Sequence, residues 1–338
     1  MNGEIALTLR LDFYRALCRV RLLDTRMQAL QRQGRIGFYG SCTGQEAVPV
    51  ALGFALADAD WIFPALRESS VMLVRGFSLE TYIAQAFGNQ RDVLKGRQMP
   101  SHMSGRAVNV VSWSSCIGTQ LTHAVGAAWA AKLRGESMIS AACLGDGATS
   151  SADFHSALNF AQVFGVPCIF VCQNNQWAIS TPASRQSNTR TFAEKALGYA
   201  MPAERVDGND VCALFVAFQR AAERARAGLG PTFLECVTYR IGPHSTSDDP
   251  TLYRSELEVT AWKARDPIAR LAAELGADNA LDGARAGAIN AELGAEIEAA
   301  IARVECEPPP ARASLFEDVY AELPQHLLEQ RKALFELR

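Results

Sequence analysis

The chain has 338 residues, of which 49% are hydrophobic and 20% are charged, so it can bury a large core as one big domain or two ordinary ones. Its 33 Lys and Arg residues nearly balance 36 Asp and Glu residues, and the net charge is -3. Because the sequence has no basic tail or Lys/Arg cluster, the composition argues against nucleic acid as a partner. No apolar stretch approaches membrane-spanning length, which predicts a soluble protein without a membrane contact.

Nine cysteines are scattered along the chain, and their odd number argues against a framework of disulfides. Most stand in apolar runs, as Cys143 and Cys168 do, so we expect buried thiols in a reducing cytoplasm. The sequence contains no CxxC pair, and Cys168 and Cys172 fall within one predicted strand. Both facts argue against a zinc site or a redox dithiol.

Two helices stand out in the first half of the chain. The first, predicted over 11–33, has apolar residues at helical spacing and ends at Gly34, so one of its faces is expected to be buried. The second, predicted over 120–134, is rich in Ala and Gly and closes on basic residues. Its small side chains let another backbone approach closely, in the core or at a subunit contact. The spaced apolar residues of the first helix are Phe13, Ala16, Leu17, Val20, Leu23, Met27 and Leu30.

The middle of the chain alternates strands and helices. Apolar strands are predicted over 138–144, 166–172 and 232–240, with a helix over 151–164. This alternation is typical of a parallel sheet that is covered by helices on both faces. From 255 to 338 the sequence becomes helical and more charged.

We therefore predict an α/β fold with a parallel sheet and helical extensions at both ends. The sequence has no internal repeat and no long linker, so 1–338 is interpreted as a single domain. Its core is expected over 45–245, and the helical extensions over 1–44 and 255–338.

Two short motifs carry the pattern of a ligand site. A Gly-Asp-Gly motif at 145–147 follows one predicted strand, and an Asn pair at 174–175 follows the next, with Asn175 29 residues after Asp146. A helix of about 14 residues rises roughly 20 Å, and the return strand covers about the same length. We therefore expect Asp146 and Asn175 side by side at the carboxyl ends of neighbouring parallel strands, where open α/β sheets bind ligands.

The residue types suit magnesium bound to a diphosphate, because a hard cation prefers carboxylate, amide, carbonyl and phosphate oxygens. Gly145 and Gly147 let the backbone bend tightly around the acid, and the next helix is expected to point its free amides at the phosphates. A plainer interpretation takes both motifs as turns between strand and helix. The expected buried face of that helix is Phe154, Ala157, Leu158, Ala161 and Phe164.

The two motifs at this spacing resemble the thiamine-diphosphate fingerprint. The segment 145–181 is similar to the alpha subunit of the thiamine-diphosphate-dependent decarboxylating component of 2-oxo acid dehydrogenase complexes, and most of all to the branched-chain type. The likeness covers most of the chain in order, which makes it far more specific than one motif. It implies a parallel-sheet thiamine-diphosphate-binding fold. The other similar segments are 34–39, 84–102, 114–120, 205–211, 238–255 and 315–324.

The resemblance also implies which residues bind the cofactor. Magnesium would be held by Asp146, the side chain of Asn175 and the backbone carbonyl of Trp177. Ser115 and Ile117 would lie near the aminopyrimidine and thiazolium rings. The residues implied to contact or surround the diphosphate are Arg67, Gly145, Gly147 and Ala148.

A second, weaker metal assignment follows from the same resemblance. Ser114, Thr119 and Gln120 match a potassium-binding loop of the branched-chain subfamily. Arg67 has a plainer interpretation as a surface arginine that pairs with Glu68.

His244 is the candidate catalytic residue, since it matches the active-site histidine of the family. It lies in the polar loop 242–249, and a histidine there can exchange protons near neutral pH. The alternative is a loop histidine that caps a helix or contacts solvent. The other histidines are interpreted as ordinary structural residues, with positions 123 and 155 in the core or at an interface; they are His102, His123, His155 and His326.

Three positions depart from the family pattern. Leu66 stands where a tyrosine usually precedes the diphosphate arginine, and Gln173 stands where an arginine often precedes the Asn pair. Pro243 replaces a histidine of some relatives and stiffens the loop. The loss of one hydrogen bond costs about 0.5–1.5 kcal/mol, which weakens cofactor binding without abolishing it.

The resemblance implies an obligate partner. In this family the glutamate that bonds to the aminopyrimidine comes from a beta subunit, and this sequence has no residue that maps onto it. We therefore expect a heterotetramer of two alpha and two beta subunits, with the cofactor at each alpha-beta interface. The acyl group formed from a small 2-oxo acid would pass to a lipoyl group on an acyltransferase core.

Three other functions stay open at this point. The first is a pyruvate or acetoin dehydrogenase, or a pathway enzyme that forms C-C bonds without a lipoyl core. The second is a noncatalytic scaffold subunit, against which Asp146, Asn175 and His244 argue. The third is a dinucleotide-binding sheet, for which the G-x-G-x-x-G motif is missing after the first strand.

Overall fold

A five-stranded parallel sheet lies at the centre of the chain in this computed structural model, which describes residues 5–336. The strands are β1 (Trp61–Phe63), β2 (Ser140–Gly145), β3 (Cys168–Asn174), β4 (Trp177–Ala178), β5 (Thr181–Pro182), β6 (Ala203–Asp207) and β7 (Thr232–Val237). The sheet has the order β1-β2-β3-β7-β6, and β4 and β5 form a separate antiparallel hairpin. The predicted α/β class and parallel sheet are confirmed.

Some of the helices cover both faces of this sheet, and others pack further out. The helices are α1 (Leu7–Arg32), α2 (Ala47–Ala55), α3 (Val71–Val74), α4 (Leu79–Phe87), α5 (Thr119–Leu133), α6 (Ala152–Val163), α7 (Ala193–Leu197), α8 (Val211–Arg226), α9 (Glu256–Lys263), α10 (Pro267–Ala277), α11 (Gly283–Glu305) and α12 (Gln325–Glu336). α5 and α6 pack on one face, and α8 packs on the other. α2 packs against α8 and also contacts α1. In turn, α1 packs against α10 and α11.

Successive side chains of the central strands point to opposite faces of the sheet and belong to two separate apolar clusters. On β3, Ile169 and Val171 join the cluster with α8 and α1, while Phe170 and Cys172 join the cluster with α5 and α6. All four are fully buried. A strand buried on both faces is apolar at every position, which explains why this one was visible in the sequence.

The predicted strands and helices are present with different ends, but several other elements were not predicted, among them the helices α2, α3, α4, α7 and α8 and the hairpin of β4 and β5. The opening helix begins at Leu7 instead of 11, and the last strand ends at Val237 instead of 240. The edge strands β1 and β6 were not predicted. β1 has only three residues, and β6 (AERVD) carries the charged residues common at sheet edges.

The turn after β2 differs from the expectation. Residues Asp146–Ser150 form a 3-10 turn, and α6 begins only at Ala152. Ser151 caps α6, because its hydroxyl accepts a hydrogen bond from the amide of Phe154 at 3.2 Å. The expected buried face of α6 is confirmed at four positions and wrong at Phe164, which ends the helix with its side chain 41% exposed.

Six of the nine cysteines are buried and all nine are free thiols, as expected for thiols in apolar runs. Among residues 5–336, no helix has the length and apolar character needed to span a bilayer. The division into a core over 45–245 and extensions over 1–44 and 255–338 stays a prediction, and its outermost residues lie outside the described ones.

Phe154 is the anchor of α6 beneath the candidate site. Its ring is fully buried and meets Phe233 edge-on, with 6.0 Å between the ring centroids. We expect Phe154→Ala to lower the free energy of unfolding by about 3–5 kcal/mol, because it leaves a cavity in the core. Phe160→Ala, on the exposed side of α6, is the matched control and should cost below about 1 kcal/mol. Urea titration measures both, and equal losses would contradict this packing.

Candidate active site

Asp146 and Asn175 lie next to each other at the carboxyl edge of the sheet. The parallel register pairs Gly145 with Gln173, so each of the two residues follows the end of its strand. The side chain of Asp146 is buried, and its carboxylate accepts a hydrogen bond from Nε2 of Gln186 at 2.5 Å. Burial raises the pKa of Asp146, while this bond and the nearby backbone amide of Asn175 lower it. A buried carboxylate of this kind fits a bound cation.

The two asparagines have different surroundings. Asn175 donates from Nδ2 to Oε1 of Gln45 at 2.9 Å, and its Oδ1 accepts the amide of Trp177 at 3.2 Å. Asn174 instead donates to the buried carboxylate of Glu235 at 2.8 Å and holds the turn that follows β3. The two side chains thus differ in their partners, and the role of Asn175 as a metal ligand stays a prediction.

The carbonyl of Trp177 is already held by a buried arginine. Arg240 donates from Nη1 to this carbonyl at 3.1 Å, and from Nη2 to the carbonyl of Ile179 at 2.7 Å and the hydroxyl of Tyr253 at 2.9 Å. Gln176 and Ile179 adopt left-handed φ values of 73° and 53°, which are unfavourable, above all for a β-branched side chain. The Arg240 bonds hold this strained turn against the site.

The glycine after the acid lies directly beneath the hairpin. A Cβ added at Gly147 would lie 2.7 Å from the Cβ of Ala178, so no larger residue fits there. Gly145 ends β2, and Ala148 is buried in the 3-10 turn. From the sequence motif, we expected the backbone of this turn to surround a diphosphate.

Arg67 and His244 form the other side of the site. Arg67 is buried and donates to the carbonyl of Ser41 and, at 2.5 Å, to that of His244, while its Nη2 lies 3.4 Å from Nδ1 of the same histidine. The interpretation of Arg67 as a surface residue paired with Glu68 is wrong. The Glu68 carboxyl is itself buried, which raises its pKa to about 7, and it accepts the amide of Ala65 at 2.9 Å.

The loop of His244 is built around Asp248. This carboxylate accepts the amide of His244 at 2.7 Å and the hydroxyl of Tyr253 at 2.5 Å. Burial, together with the nearby cations Arg67 and Arg240, lowers the pKa of His244 to about 4. The imidazole is therefore neutral near pH 7.

The segment expected near the cofactor rings is open to solvent. Ser115 is exposed and bonds to Nε2 of His102, and Ile117 is 60% exposed. His102 is buried against Trp113, with 3.9 Å between the ring centroids. Sequence reasoning missed this histidine as a contact of Ser115.

The residues of the expected potassium loop make local bonds. The hydroxyl of Ser114 accepts the amide of Cys116 at 3.2 Å, and the hydroxyl of Thr119 donates to the carbonyl of the same residue at 2.8 Å. Gln120 donates to the carbonyl of Cys143 at 2.9 Å. The potassium assignment stays a prediction.

Two other histidines lie outside the core of this chain, so the core alternative is wrong for both, while a position at an interface stays a prediction. His123 is exposed on α5, and His155 is exposed on α6, where its Nδ1 lies 2.6 Å from the hydroxyl of Tyr199. Both have a helical neighbour in the core, Ala124 and Phe154, so the helix period places them just outside it.

Several buried polar atoms near the site have no hydrogen-bond partner among residues 5–336. They are Nε2 of Gln45, Oε1 of Gln173, Oε1 of Gln186 and Nε of Arg240. Unsatisfied buried groups are rare in folded proteins, and their concentration beside Asp146 fits a site that a polar ligand completes. Sequence reasoning missed Gln45, Gln186 and Arg240, since their roles depend on tertiary contacts and no motif marks them.

This geometry is that of an α/β protein whose buried polar side chains converge at the carboxyl edge of its parallel sheet. Comparison with known proteins is specific: the chain belongs to the dehydrogenase E1 component family, whose profile matches residues 14–312. Membership of this family implies dependence on thiamine diphosphate.

Relatives from bacteria and from humans are similar along nearly the whole chain. The 2-oxoisovalerate dehydrogenase subunit alpha of Pseudomonas aeruginosa is 43% identical over 327 residues, which are 95% of this chain and 80% of that protein. The 3-methyl-2-oxobutanoate dehydrogenase subunit alpha of Mycobacterium tuberculosis is 44% identical over 322 residues, 95% and 85% of the two chains. The mitochondrial 2-oxoisovalerate dehydrogenase subunit alpha of Homo sapiens is 39% identical over 325 residues, 96% and 73%.

The pKa of His244 provides a test of this side of the site. We expect Arg67→Gln to raise the pKa of His244 from about 4 toward its ordinary value, because it removes a neighbouring cation. Below the ordinary value of about 6.5 the unfolded chain binds more protons than the folded one, so wild type loses stability as the pH falls toward 4. NMR titration of the histidines in the cofactor-free chain measures the shift. The exposed Arg185→Gln is the control, and a wild-type pKa near 6.5 would contradict the geometry.

Proposed function

We propose that this chain is the alpha subunit of an enzyme that oxidatively decarboxylates a branched-chain 2-oxo acid with thiamine diphosphate and Mg²⁺. The observation that carries the proposal is the buried Asp146 beside Asn175 at the carboxyl edge of the sheet, in a chain of the dehydrogenase E1 component family. The names of the relatives support the substrate class.

The cation would be held by three oxygens of this chain. They are a carboxylate oxygen of Asp146, Oδ1 of Asn175 and the carbonyl of Trp177, a set that suits a hard cation. The Trp177 carbonyl also accepts from Arg240, and its two lone pairs allow both contacts. Gln186 bonds to the Asp146 carboxylate and keeps it oriented.

The diphosphate would lie along the turn after β2. Gly145, Gly147 and Ala148 present backbone there, and Arg67 supplies a buried cation for the phosphate oxygens. Leu66, beside this arginine, has no polar group to offer. These residues would bind the diphosphate and orient the cofactor. Thiamine diphosphate, when bound, would supply the electron sink that allows carbon dioxide to leave.

His244 would handle protons at the reacting centre. Its neutral imidazole can accept or donate a proton near pH 7, and Asp248 and Arg67 hold its backbone in place. On the open side, Ser115 and Ile117 would contact the cofactor rings. Their exposure supports a site that a second subunit covers.

The proposed assembly has two alpha and two beta subunits, with the cofactor at the alpha-beta interface and the activating glutamate on the beta subunit. The acyl group would pass to a lipoyl group of an acyltransferase core. We further propose a potassium ion at Ser114, Thr119 and Gln120, a single-domain chain and a cytoplasmic location, which the nine free thiols support.

Measurements of cofactor binding and of turnover distinguish the proposed roles of Asp146 and His244. We expect Asp146→Ala to abolish Mg²⁺-dependent binding of thiamine diphosphate to the alpha-beta complex, because it removes the charged ligand. His244→Ala should retain binding and lose at least about 100-fold in turnover, the usual scale of acid-base catalysis. Calorimetry and a substrate assay measure these effects, with the exposed Asp58→Ala as control. Unchanged binding in the first variant would count against the metal assignment, and absence of binding in wild type would favour a scaffold.

A substrate panel decides between the branched-chain assignment and a pyruvate or acetoin enzyme, which the departures at Leu66 and Gln173 keep open. With its beta partner and an artificial electron acceptor, the chain should prefer 4-methyl-2-oxopentanoate over pyruvate. The two substrates differ by an isopropyl group, and a single methylene in an apolar pocket already accounts for about 10–200-fold in kcat/KM. Activity on pyruvate alone would remove the branched-chain assignment but not the thiamine-dependent one.

A further inference from the structure

Three buried amides meet behind the candidate metal site. Oε1 of Gln45 accepts a hydrogen bond from Nδ2 of Asn175 at 2.9 Å and another from Nε2 of Gln173 at 3.0 Å. All three side chains are buried, and Gln45 is fully so. One oxygen atom thus joins the end of β3, the residue after it and the segment before α2.

This contact determines which edge of the Asn175 amide faces the site. An amide presents an oxygen on one edge and an NH₂ group on the other, and only the oxygen can bind a cation. Because the NH₂ group of Asn175 is bonded to Gln45, its oxygen points the other way, toward the amide of Trp177. The opposite orientation would bring two acceptor oxygens together.

Gln45 cannot easily reverse its own amide. Both of its neighbours donate, so a reversed Gln45 would set its NH₂ group against two other NH₂ groups. Its backbone is also fixed, since its amide donates to the carbonyl of Cys42 at 2.7 Å, and the carbonyl of Gly44 accepts from Thr238 at 3.0 Å.

We propose that Gln45 is a positioning residue that locks the amide of Asn175 with its oxygen toward the cation, and that Gln173 holds Gln45 in this orientation. The inference rests on the proposed function, in which Asn175 is a metal ligand. It assigns a role to Gln173 at the position where an arginine often stands in relatives: a neutral donor to Gln45.

Two substitutions of Gln45 distinguish the effect of its hydrogen bonds from the effect of its side-chain shape. Gln45→Met keeps the length but removes the strong acceptor, whereas Gln45→Glu keeps an acceptor for both neighbours. Nε2 of Gln45 has no partner among the described residues, so Gln45→Glu breaks no hydrogen bond. Gln85→Met is the matched control, because Gln85 is another buried glutamine, and within residues 5–336 its side chain bonds only to Ser104.

The readout is the affinity for Mn²⁺, measured by electron paramagnetic resonance on the alpha-beta complex with thiamine diphosphate. We expect Gln45→Met to weaken Mn²⁺ binding about 10–100-fold, as substitutions behind a metal ligand do. Gln45→Glu and Gln85→Met should stay within about threefold of wild type, because neither removes the hydrogen bond that Asn175 donates to residue 45. Equal binding in Gln45→Met and wild type would overturn the inference.

A second background tests orientation itself. A carboxylate has two equivalent oxygens, so in the Asn175→Asp background the added Gln45→Met substitution should change Mn²⁺ affinity less than about threefold. A loss as large as in the Asn175 background would show that Gln45 acts through packing and would overturn the inference. If wild type itself fails to bind Mn²⁺ with thiamine diphosphate, the proposed function fails instead, so the two failures are distinguishable.

Discussion

Parallel pairing of β2 with β3 places Gly145 opposite Gln173, and the candidate site depends on that register. Asp146 and Asn175 follow strands that are separate in sequence and adjacent in the sheet, so the two residues lie at the same edge without any special loop. A slip of two residues would move them apart by about 7 Å along the strand direction. Both strands are buried on both faces, and the apolar clusters above and below them fix the register. The packing of the core therefore also determines the relative positions of Asp146 and Asn175.

The segment 39–46 links the helical N-terminus to the site. Asp24 on α1 is fully buried, and its carboxylate accepts the hydroxyl of Tyr39 at 2.8 Å and the amide of Cys42 at 2.7 Å. Burial, with the charge of Glu46 nearby, raises the pKa of Asp24 to about 6. The same segment offers a carbonyl to Arg67 and pairs through its backbone with the loop of His244. The opening helix thus supports the positions of Arg67 and His244.

The sequence predicted those parts of the fold that depend on local pattern. Strand β3 was visible because it is continuously apolar, and the pairing of Asp146 with Asn175 followed from the length of one crossover. The edge strand β6 was hidden by its charges, and Phe164 was expected inside because the helix period was extended past the last turn. Arg240, Gln186 and Gln45 could not be found, because each acts through a residue that only the folded chain brings near. For Arg240, the one available signal was an arginine at the end of the predicted apolar strand 232–240.

Arg240 also has a mechanical consequence. Its guanidinium bonds to two carbonyls of the hairpin that carries Trp177 and to Tyr253, which in turn holds Asp248 in the loop of His244. The strained turn at one end and the histidine loop at the other are thus attached to a single planar group. A displacement of the hairpin is therefore opposed by the loop of His244 and the reverse, which couples the positions of Trp177 and His244 through one guanidinium group.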